Sequence, residues 1–573
     1  MYFVRRQAGS TLIWVMLTLA ALGVCVAVAV EISSSIGRNA QRSRAWSDAT
    51  AIGVGTLDLA YSGWRQLCRA TPTKALATAD LTTIPVPTKS NFPAVPGASL
   101  SNFQVQAVDP QLNPVSTAPP AALGTNSSTV STFYLASADI TIPVIPGNVT
   151  AKVRRVFEKQ SISPWNWAIF YNDPLEIHPG PPFTVTGWVH TNSMLYTGHS
   201  SLTFASKVTY TGGWKVGFMS GDGTHPETPT SPSWPKDLPP LQDQSHQPFG
   251  IDPSQSFNTT DTNPNNDGWH ELIDVPVAGF ADPLAGLRMW DQAGIKVLIN
   301  SSSQNITVLN QDGSAASSKL SDTINNAISF QSIQDNREGA SIKVSTLDLS
   351  QIYNGGSYAS DNSLGLKGFN GIIYLVDTTA SSIRKVAIRL KNGKQLASGG
   401  ITIASANPIY VQGDYNTGSG TPPSNSGDPT NPTVAGYTRQ PAAIIGDSVD
   451  ILSNAWSDSN STKSLSSRIA SNTTVNAAVL AGNVPTGTVG NNYSGGVENF
   501  PRFLEDWSGK SFTYYGSMVE LYPSNQATGI WGGNSNTYNP PNRNWYFDSN
   551  FYANPPKGSL AITKYIKQKW FLQ

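Results

Sequence analysis

Between Thr11 and Val30 the chain runs twenty residues without a charge. As a helix rising ~1.5 Å per residue, that stretch covers ~30 Å, the hydrocarbon thickness of a bilayer. The rest of the chain looks nothing like it. A secretory signal has a shorter apolar core, roughly 7–15 residues, followed by a small-x-small cleavage site. Here the run is longer and passes through Glu31 into a stretch that keeps helical spacing: Ala45, Ala49, Ile52, Leu57, Ala60, Trp64 and Leu67. The pattern predicts one long helix, apolar in its first half and amphipathic in its second. Arg5 and Arg6 precede the run and Arg38, Arg42 and Arg44 follow it, so the distribution of positive charge does not set its orientation.

The residues ahead of the run add a second constraint. Arg5-Arg6-Gln7-Ala8-Gly9, followed by Ser10-Thr11-Leu12, resembles a type IV prepilin leader, in particular that of the PilX-like minor pilins. The resemblance implies that prepilin peptidase removes residues 1–9, cutting between Gly9 and Ser10. It further implies a helix over residues 10–70, with Thr11, Leu12, Trp14 and Val30 in its membrane half, that packs with other pilin-like subunits in a fibre. Major pilins carry Glu at the fifth mature position, and Trp14 stands there, which points to the minor class. The implied location is the inner membrane, single-pass, with an extracytoplasmic ectodomain that reaches the cell surface in a pilus. An uncleaved signal anchor and a conventionally cleaved signal are the alternatives that the residues leave open.

Formal net charge is zero, with 37 basic and 37 acidic residues, so there is no basic face for a nucleic acid. Charged residues are 13% of the chain, about half the usual share, and Ser, Thr, Asn and Gly take their place. With 15 Trp, 20 Tyr and 20 Phe the chain is too aromatic for disorder. The composition suits a β-rich extracellular surface. Of the two cysteines, Cys25 lies inside the apolar run and Cys68 beyond it, so disulfides do not staple the fold.

Residues 71–164 read as loops and strands, with Pro, Ser, Thr and Ala concentrated before 130. From 165 to 573 short β segments alternate with Gly-, Asn- and Pro-bearing turns: Ala168–Tyr171, Leu175–Ile177, Phe183–Val189, Met194–Tyr196, Leu202–Phe204 and Lys207–Tyr210. Later strands such as "GIIYLVD", "AAIIGDSVDIL" and "VNAAVLAGNV" are nearly continuously apolar, as strands buried on both faces are. This density of short strands predicts a parallel β-helix, right-handed by expectation, with a Pro-rich insertion near 218–280; a β-sandwich is the alternative. Short helices are predicted over Pro283–Gln292 and within "SSKLSDTINNAISFQ". The segments "AIFYNDPLEIHPGP", "DNREG", "NPIYVQGDYN", "AAIIGDSVDILSNAW" and "YNPPNRNWYFDSNF" resemble a bacterial family of pilus-assembly and surface proteins. The resemblance implies a prepilin-like start followed by a β-helical ectodomain, and it carries no established activity.

β-Helices also host polysaccharide lyases and hydrolases, whose sites gather carboxylates with Arg, Lys or Ca²⁺ on one face. The candidates here are Asp377, Asp414, Asp447 and Asp450, with Arg389. Asp447 and Asp450 are three apart and face opposite ways on a strand unless a turn intervenes. The blander reading makes all four turn residues. His178, His190 and His199 fall among short strands, where a fold can bring two together as a metal pair, without a tight ligand motif. "DTNPNNDGWHEL" echoes the opening of a Ca²⁺ loop at Asp261, but Asn266 and Leu272 stand where an EF-hand needs Gly and Glu. "DNREG" suggests a turn or buried ion pair around Arg337 and Glu338. "PPNRNWYFD" offers Arg543 and Trp545 either as an end cap for the stack or as a platform for a surface glycan. No cofactor is implied, and the leading expectation is a non-enzymatic, structural or adhesive surface protein. A polysaccharide-binding or -cleaving protein and a signal-anchored scaffold unrelated to pili are the alternatives.

Overall fold

The computed structural model describes residues 10–572 apart from 72–73, 89–94, 124–125, 226, 236–237, 353–368, 382–383, 421–436, 489, 491, 532–535 and 559. Gly9 and the rest of the expected leader lie outside the described residues. The chain is mainly strands with one long apolar N-terminal helix, and it divides into two compact units.

The first unit holds the helix, Ser10–Ala70, 61 residues without a break. Its first part is long and apolar enough to cross a membrane. Leu12, Trp14 and Val30 are 67%, 68% and 63% exposed, and no side chain before Ala45 is buried. From Ala45 onward, Ala49, Ile52, Leu57, Ala60, Trp64 and Cys68 are buried at the three- and four-residue spacing of one helix face. Cys68 rather than Leu67 ends that stripe. The face packs on a sheet whose strands run, in order, Ser99–Val108, Asn126–Pro143, Asn148–Ile162 and Ile562–Leu572.

Small residues on both sides, Ala45, Ala49 and Ala60 against Ala136, Ala138 and Ala151, let helix and sheet approach closely. At Gly53 a Cβ would stand 2.4 Å from Val153 Cγ2, so even alanine is too large there. Trp64 fills the centre, with the rings of Tyr134, Phe157 and Tyr565 at 5.5, 5.4 and 5.6 Å. Of the strands of this sheet Ser99–Val108, ten residues long, lies in the stretch before 130 that reads as loops with short strands. The inward residues of the sheet mix small and large, with Ala107, Ala136, Ala138 and Ala151 among Val105, Tyr134, Ile140, Val153 and Phe157.

In the second unit the largest sheet has twelve strands. From one end it runs Asn305–Asn310, Ile295–Asn300, Ile372–Asp377, Thr402–Ala404, Ala443–Gly446, Thr473–Ala481 and Ser511–Glu520, then Ile169–Tyr171, Val189–Thr191, Val208–Tyr210 and Leu241–Gln242. Asn542–Phe547 lies beside Ser511–Gly516. Every pairing is parallel except the first hairpin. A second sheet takes Ile328–Asp335, Ala340–Asp348, Val386–Lys391, Ile409–Gln412, Val449–Leu452 and Pro501–Phe503, parallel after its own opening hairpin. Leu175–Ile177, Met194–Thr197 and Gly213–Val216 form a third parallel sheet. The sheets are open.

The chain alternates between these sheets, so successive strands of one sheet come from successive passes. The stacking order is not the chain order. Residues 169–242 are laid down first, then the chain restarts at Ile295 and works back until Met518–Glu520 pair with Ile169–Tyr171.

The stretch between them, which contains most of the expected Pro-rich insertion, covers the large sheet. Phe249, Ile251, Trp269, Leu272, Ile273, Leu284 and Met289 pack on Ile372, Tyr374, Ala404, Ala443, Ile445, Leu480 and Val519. The alternate residues Ile373, Leu375, Ile403 and Ile444 face Ile388, Leu390, Val411 and Ile451 of the second sheet. Both faces of the large sheet are therefore apolar, which is why its strands read as unbroken hydrophobic runs.

Of the two predicted helices, Ser318–Ala327 forms, with Ser317 capping the Leu320 amide. The other shrinks to Met289–Gln292 because Arg288, at its start, is drawn into buried bonds with Asp282 and Glu271.

Candidate functional site

Parallel pairing puts equivalent positions of successive strands in one row. On the outer face of the second sheet, register aligns Arg389, Tyr410, Asp450 and Arg502. The "DNREG" turn joins the two antiparallel strands at the edge of that sheet and brings Asp335 and Glu338 over the row. Tyr410, Asp450, Arg502, Asp335 and Glu338, together with Lys385 and Gln526, line a cleft of about 410 Å3, and Arg389 lies in the row outside it.

Each group in the cleft is held from several sides. Tyr410 donates its hydroxyl to Asp335 Oδ2 at 2.6 Å, and Asp335 Oδ1 accepts the Arg337 and Glu338 amides at 2.7 and 2.8 Å. Glu338 accepts from Arg502 through one oxygen and from Lys385 through the other. Arg502 also donates to the Ala527 carbonyl at 2.6 Å, and its Nε faces Asp450 Oδ1 at 3.4 Å. Ser448 donates to Asp450 Oδ2 at 2.8 Å, while Oδ1 has no hydrogen bond.

The two carboxyl groups are pushed in opposite directions. Burial alone raises the Glu338 pKa, but Arg502 and then Lys385 reverse that and bring it down to about 2. Burial pushes Asp450 up, against the opposing pull of Arg502 and with help from Asp335. A strongly ionised carboxylate beside one whose proton affinity burial raises is the arrangement that supports paired acid and base roles.

The remaining sequence candidates lie elsewhere. Asp377 closes an Asx turn, accepting from the amide and hydroxyl of Thr379 at 3.0 and 2.7 Å. Asp414 accepts from the Thr474 amide and the Asn454 side chain, tying neighbouring loops. Arg389 is in the row but is paired with Asp458, at 2.6 and 3.1 Å through two nitrogens. Asp261 accepts from the Asn263 amide and from the side chains of Asn258 and Asn266, so N–H donors occupy oxygens that a Ca²⁺ loop would aim at the ion.

Trp545 is not a sugar platform. It is 4% exposed, with Phe183 at 5.4 Å and Phe512 at 6.3 Å, and Arg543 sits 5.4 Å from its ring centroid. Among the histidines, His178 and His199 meet, joined by His225, whereas His190 stacks on His246 at 4.2 Å.

A turn at Asp447 and Ser448 does intervene between Ala443–Gly446 and Val449–Leu452, but Asp447 and Asp450 hold separate partners and do not pair. Asp447 accepts the amides of Asn525, Gln526 and Ala527, and receives His270 Nε2 at 3.0 Å. His270 Nδ1 meets Asp274 at 2.7 Å. Burial depresses the His270 pKa, but the hydrogen bonds to Asp274 and Asp447 overcome it and lift the ring to about 9. A raised folded pKa adds stability that is complete below the unfolded value near 6.5 and vanishes as pH climbs through 9. At ~1.4 kcal/mol per unit, the contribution is about 3 kcal/mol. His270→Gln is therefore expected to melt well below the parent protein at pH 6, and the gap between the two melting curves should close by pH 10.

Sequence reasoning assigned Asp335, Glu338 and Arg337 to structure and passed over Tyr410 and Arg502. The signal that finds the last two is the shared strand position they hold with Asp450. Neither a protein-family model, nor a curated protein, nor a solved structure matches this chain.

Proposed function

We propose that this is a membrane-anchored surface protein of the minor-pilin type, with a structural or adhesive role. The observation that carries the reading is one unbroken helix with two opposite environments. Its first part, from Ser10 to Arg44, is exposed and largely apolar, and its second part, from Ala45, is the core of a folded unit. An apolar surface of that length needs lipid or other helices around it. Prepilin-type assembly supplies both in turn: the helix first rests in the inner membrane, then exchanges lipid for the apolar helices of neighbouring pilin-like subunits.

Helix continuity also favours retention over disposal, since the folded unit is built on the same helix. In this reading prepilin peptidase cuts at Gly9, and the ectodomain lies outside the cytoplasm. The ectodomain is read as a right-handed parallel β-helix. Parallel stacking through short passes between sheets supports it, while the sheets of a sandwich are antiparallel. The reading is tested by shearing surface fibres from cells and probing for this chain. Co-sedimentation with the fibres is expected, and lost when Gly9→Val blocks processing. Recovery in membranes alone, unchanged by G9V, contradicts it.

The cleft favours a second reading, binding or cleavage of a surface polysaccharide. The observation behind it is the opposed pair Glu338 and Asp450, buried at the floor of a partly open cleft. It predicts new reducing or unsaturated sugar ends from an extracellular glycan, lost in Asp450→Asn with the fold intact. Absence of any glycan binding by the parent protein rejects it.

A further inference from the structure

At one corner of the second unit three histidines converge, and neither the anchoring reading nor the polar cleft uses them. Register explains the first two. Ile177 pairs with Thr197 and Thr197 with Val216, so the positions that follow these strands carry His178, His199 and Phe218 to the same place. The loop after the third strand then returns Asp222, His225 and Glu227 to that corner. The His178, His199 and His225 ring centroids stand 6.2, 5.4 and 5.6 Å apart pairwise. Three rings bound to one tetrahedral ion at ~2.1 Å stand about 5 Å apart, so the spacing is close to that of a metal site.

Donor atoms converge as well as rings. Those of His199, His225 and Glu227 all lie within 4.8 Å of one another, as do those of Glu176, His178 and Asp222. His225 Nδ1 meets Asp222 Oδ2 at 2.6 Å, which fixes the ring and leaves Nε2 for a ligand.

A mere aromatic cluster, with Phe218 stacked on His225 at 4.8 Å, accounts for the ring packing but not for two further facts. First, His178 is 4% exposed, and among the described residues its ring nitrogens make no well-formed hydrogen bond, although the Ile177 backbone approaches the ring. A neutral ring still leaves its acceptor nitrogen buried and unpaired, a cost of about 1–3 kcal/mol that a bound ion removes. Second, the Asp222 side chain is fully buried and Glu176 is 1% exposed, yet no lysine or arginine pairs with either among the described residues. Asp222 is bonded to Thr224 and His225, and Glu176 to Thr486, while the second Glu176 oxygen has no partner. Two carboxyl groups buried side by side with no lysine or arginine are otherwise rare.

We propose that His178, His199, His225 and Glu227 bind one divalent transition-metal ion of the zinc class, with Asp222 positioning His225. Three imidazoles and one carboxylate suit zinc, nickel or copper and are poor ligands for calcium or magnesium. The side chains of His199 and Glu227 are 22% and 44% exposed, which gives an ion a route in from solvent. The site ties the third pass of the stack to the first two, so metal should stiffen this end of the ectodomain.

The test uses the full chain in detergent, stripped with chelator and titrated with zinc against a competing indicator. One zinc per chain is expected, undisplaced by hundredfold calcium, with a higher melting temperature in its presence. His199→Gln and Glu227→Gln sit on the exposed side and should fold normally, yet each should weaken binding at least tenfold, and the double variant more. His190→Gln, at the other histidine pair, should bind as the parent does. Binding below one per chain at micromolar zinc, or displacement by calcium, overturns the proposal. So does equal affinity in the H199Q, E227Q and parent proteins.

Discussion

Arg502→Ala is expected to destabilise the second unit by about 3–5 kcal/mol, because it strips the cation from a buried ion network. Arg502, Glu338 and Asp450 are each 4% exposed or less at the side chain. The guanidinium binds Glu338, faces Asp450 and donates to the Ala527 carbonyl. Without it, Glu338 keeps Lys385, itself 30% exposed, as its one ion-pair partner among the described residues, and Asp450 keeps only the weaker pull of Arg337. The lost attraction matters less than the two carboxyl groups left buried.

The loss should ease at low pH, where protonation of Glu338 removes the stranded charge. Arg384, an exposed residue on the rim of the same cleft, provides the control, and Arg384→Ala should change stability by no more than about 0.5 kcal/mol. Denaturant melts of the three proteins, followed by the fluorescence of the many buried tryptophans, read both effects. An Arg502→Ala protein as stable as the parent would mean that the network does not hold this face of the sheet together.

Trp64→Ala should have a comparable effect in the first unit, about 3–5 kcal/mol. The ring is fully buried and touches Tyr134, Phe157 and Tyr565, so it joins the helix to three strands at once. Its indole nitrogen has no hydrogen-bond partner among the described residues, so the substitution forfeits packing and no polar bond there. Trp64→Phe should therefore recover more than half of the loss. Limited proteolysis is the direct readout. In the alanine variant, cuts should appear within Ser99–Val108 and Asn148–Ile162 under conditions where the parent is intact. An uncut W64A protein would show that the helix is not the core of this unit.

Legibility in the sequence followed the range of the interactions. The helix was plain because its signals are local, a charge-free run and then a stripe from Ala45 to Trp64. Short strands such as Leu175–Ile177 and Leu202–Phe204 fell where turn residues bracketed them. The order of stacking was not legible. Ile169 pairs with Met518, and no property of either residue announces a partner so far along the chain.

The cleft was hidden for the same reason. Tyr410, Asp450 and Arg502 share a row only once three parallel strands are in register. Asp450 could be named from sequence, but the arginine that sets its environment could not. For the histidines, the fact that decides the matter is the repeat length. His178 and His199 are about one pass apart, like Leu175 and Leu195. His225 comes from a loop and follows no period. Trp545 failed as a surface candidate because its strand is covered by Phe183 and Phe512. An aromatic near a proline pair looks alike from sequence whether it caps a core or faces solvent.

The most direct test is the mature N-terminus of the protein isolated from its own cells, read by intact mass and N-terminal sequencing. A chain that begins at Ser10, with residues 1–9 removed and the helix otherwise whole, is the predicted result. A chain that begins at Met1, or one cut after the apolar run near Val30, contradicts a prepilin-type route to the surface.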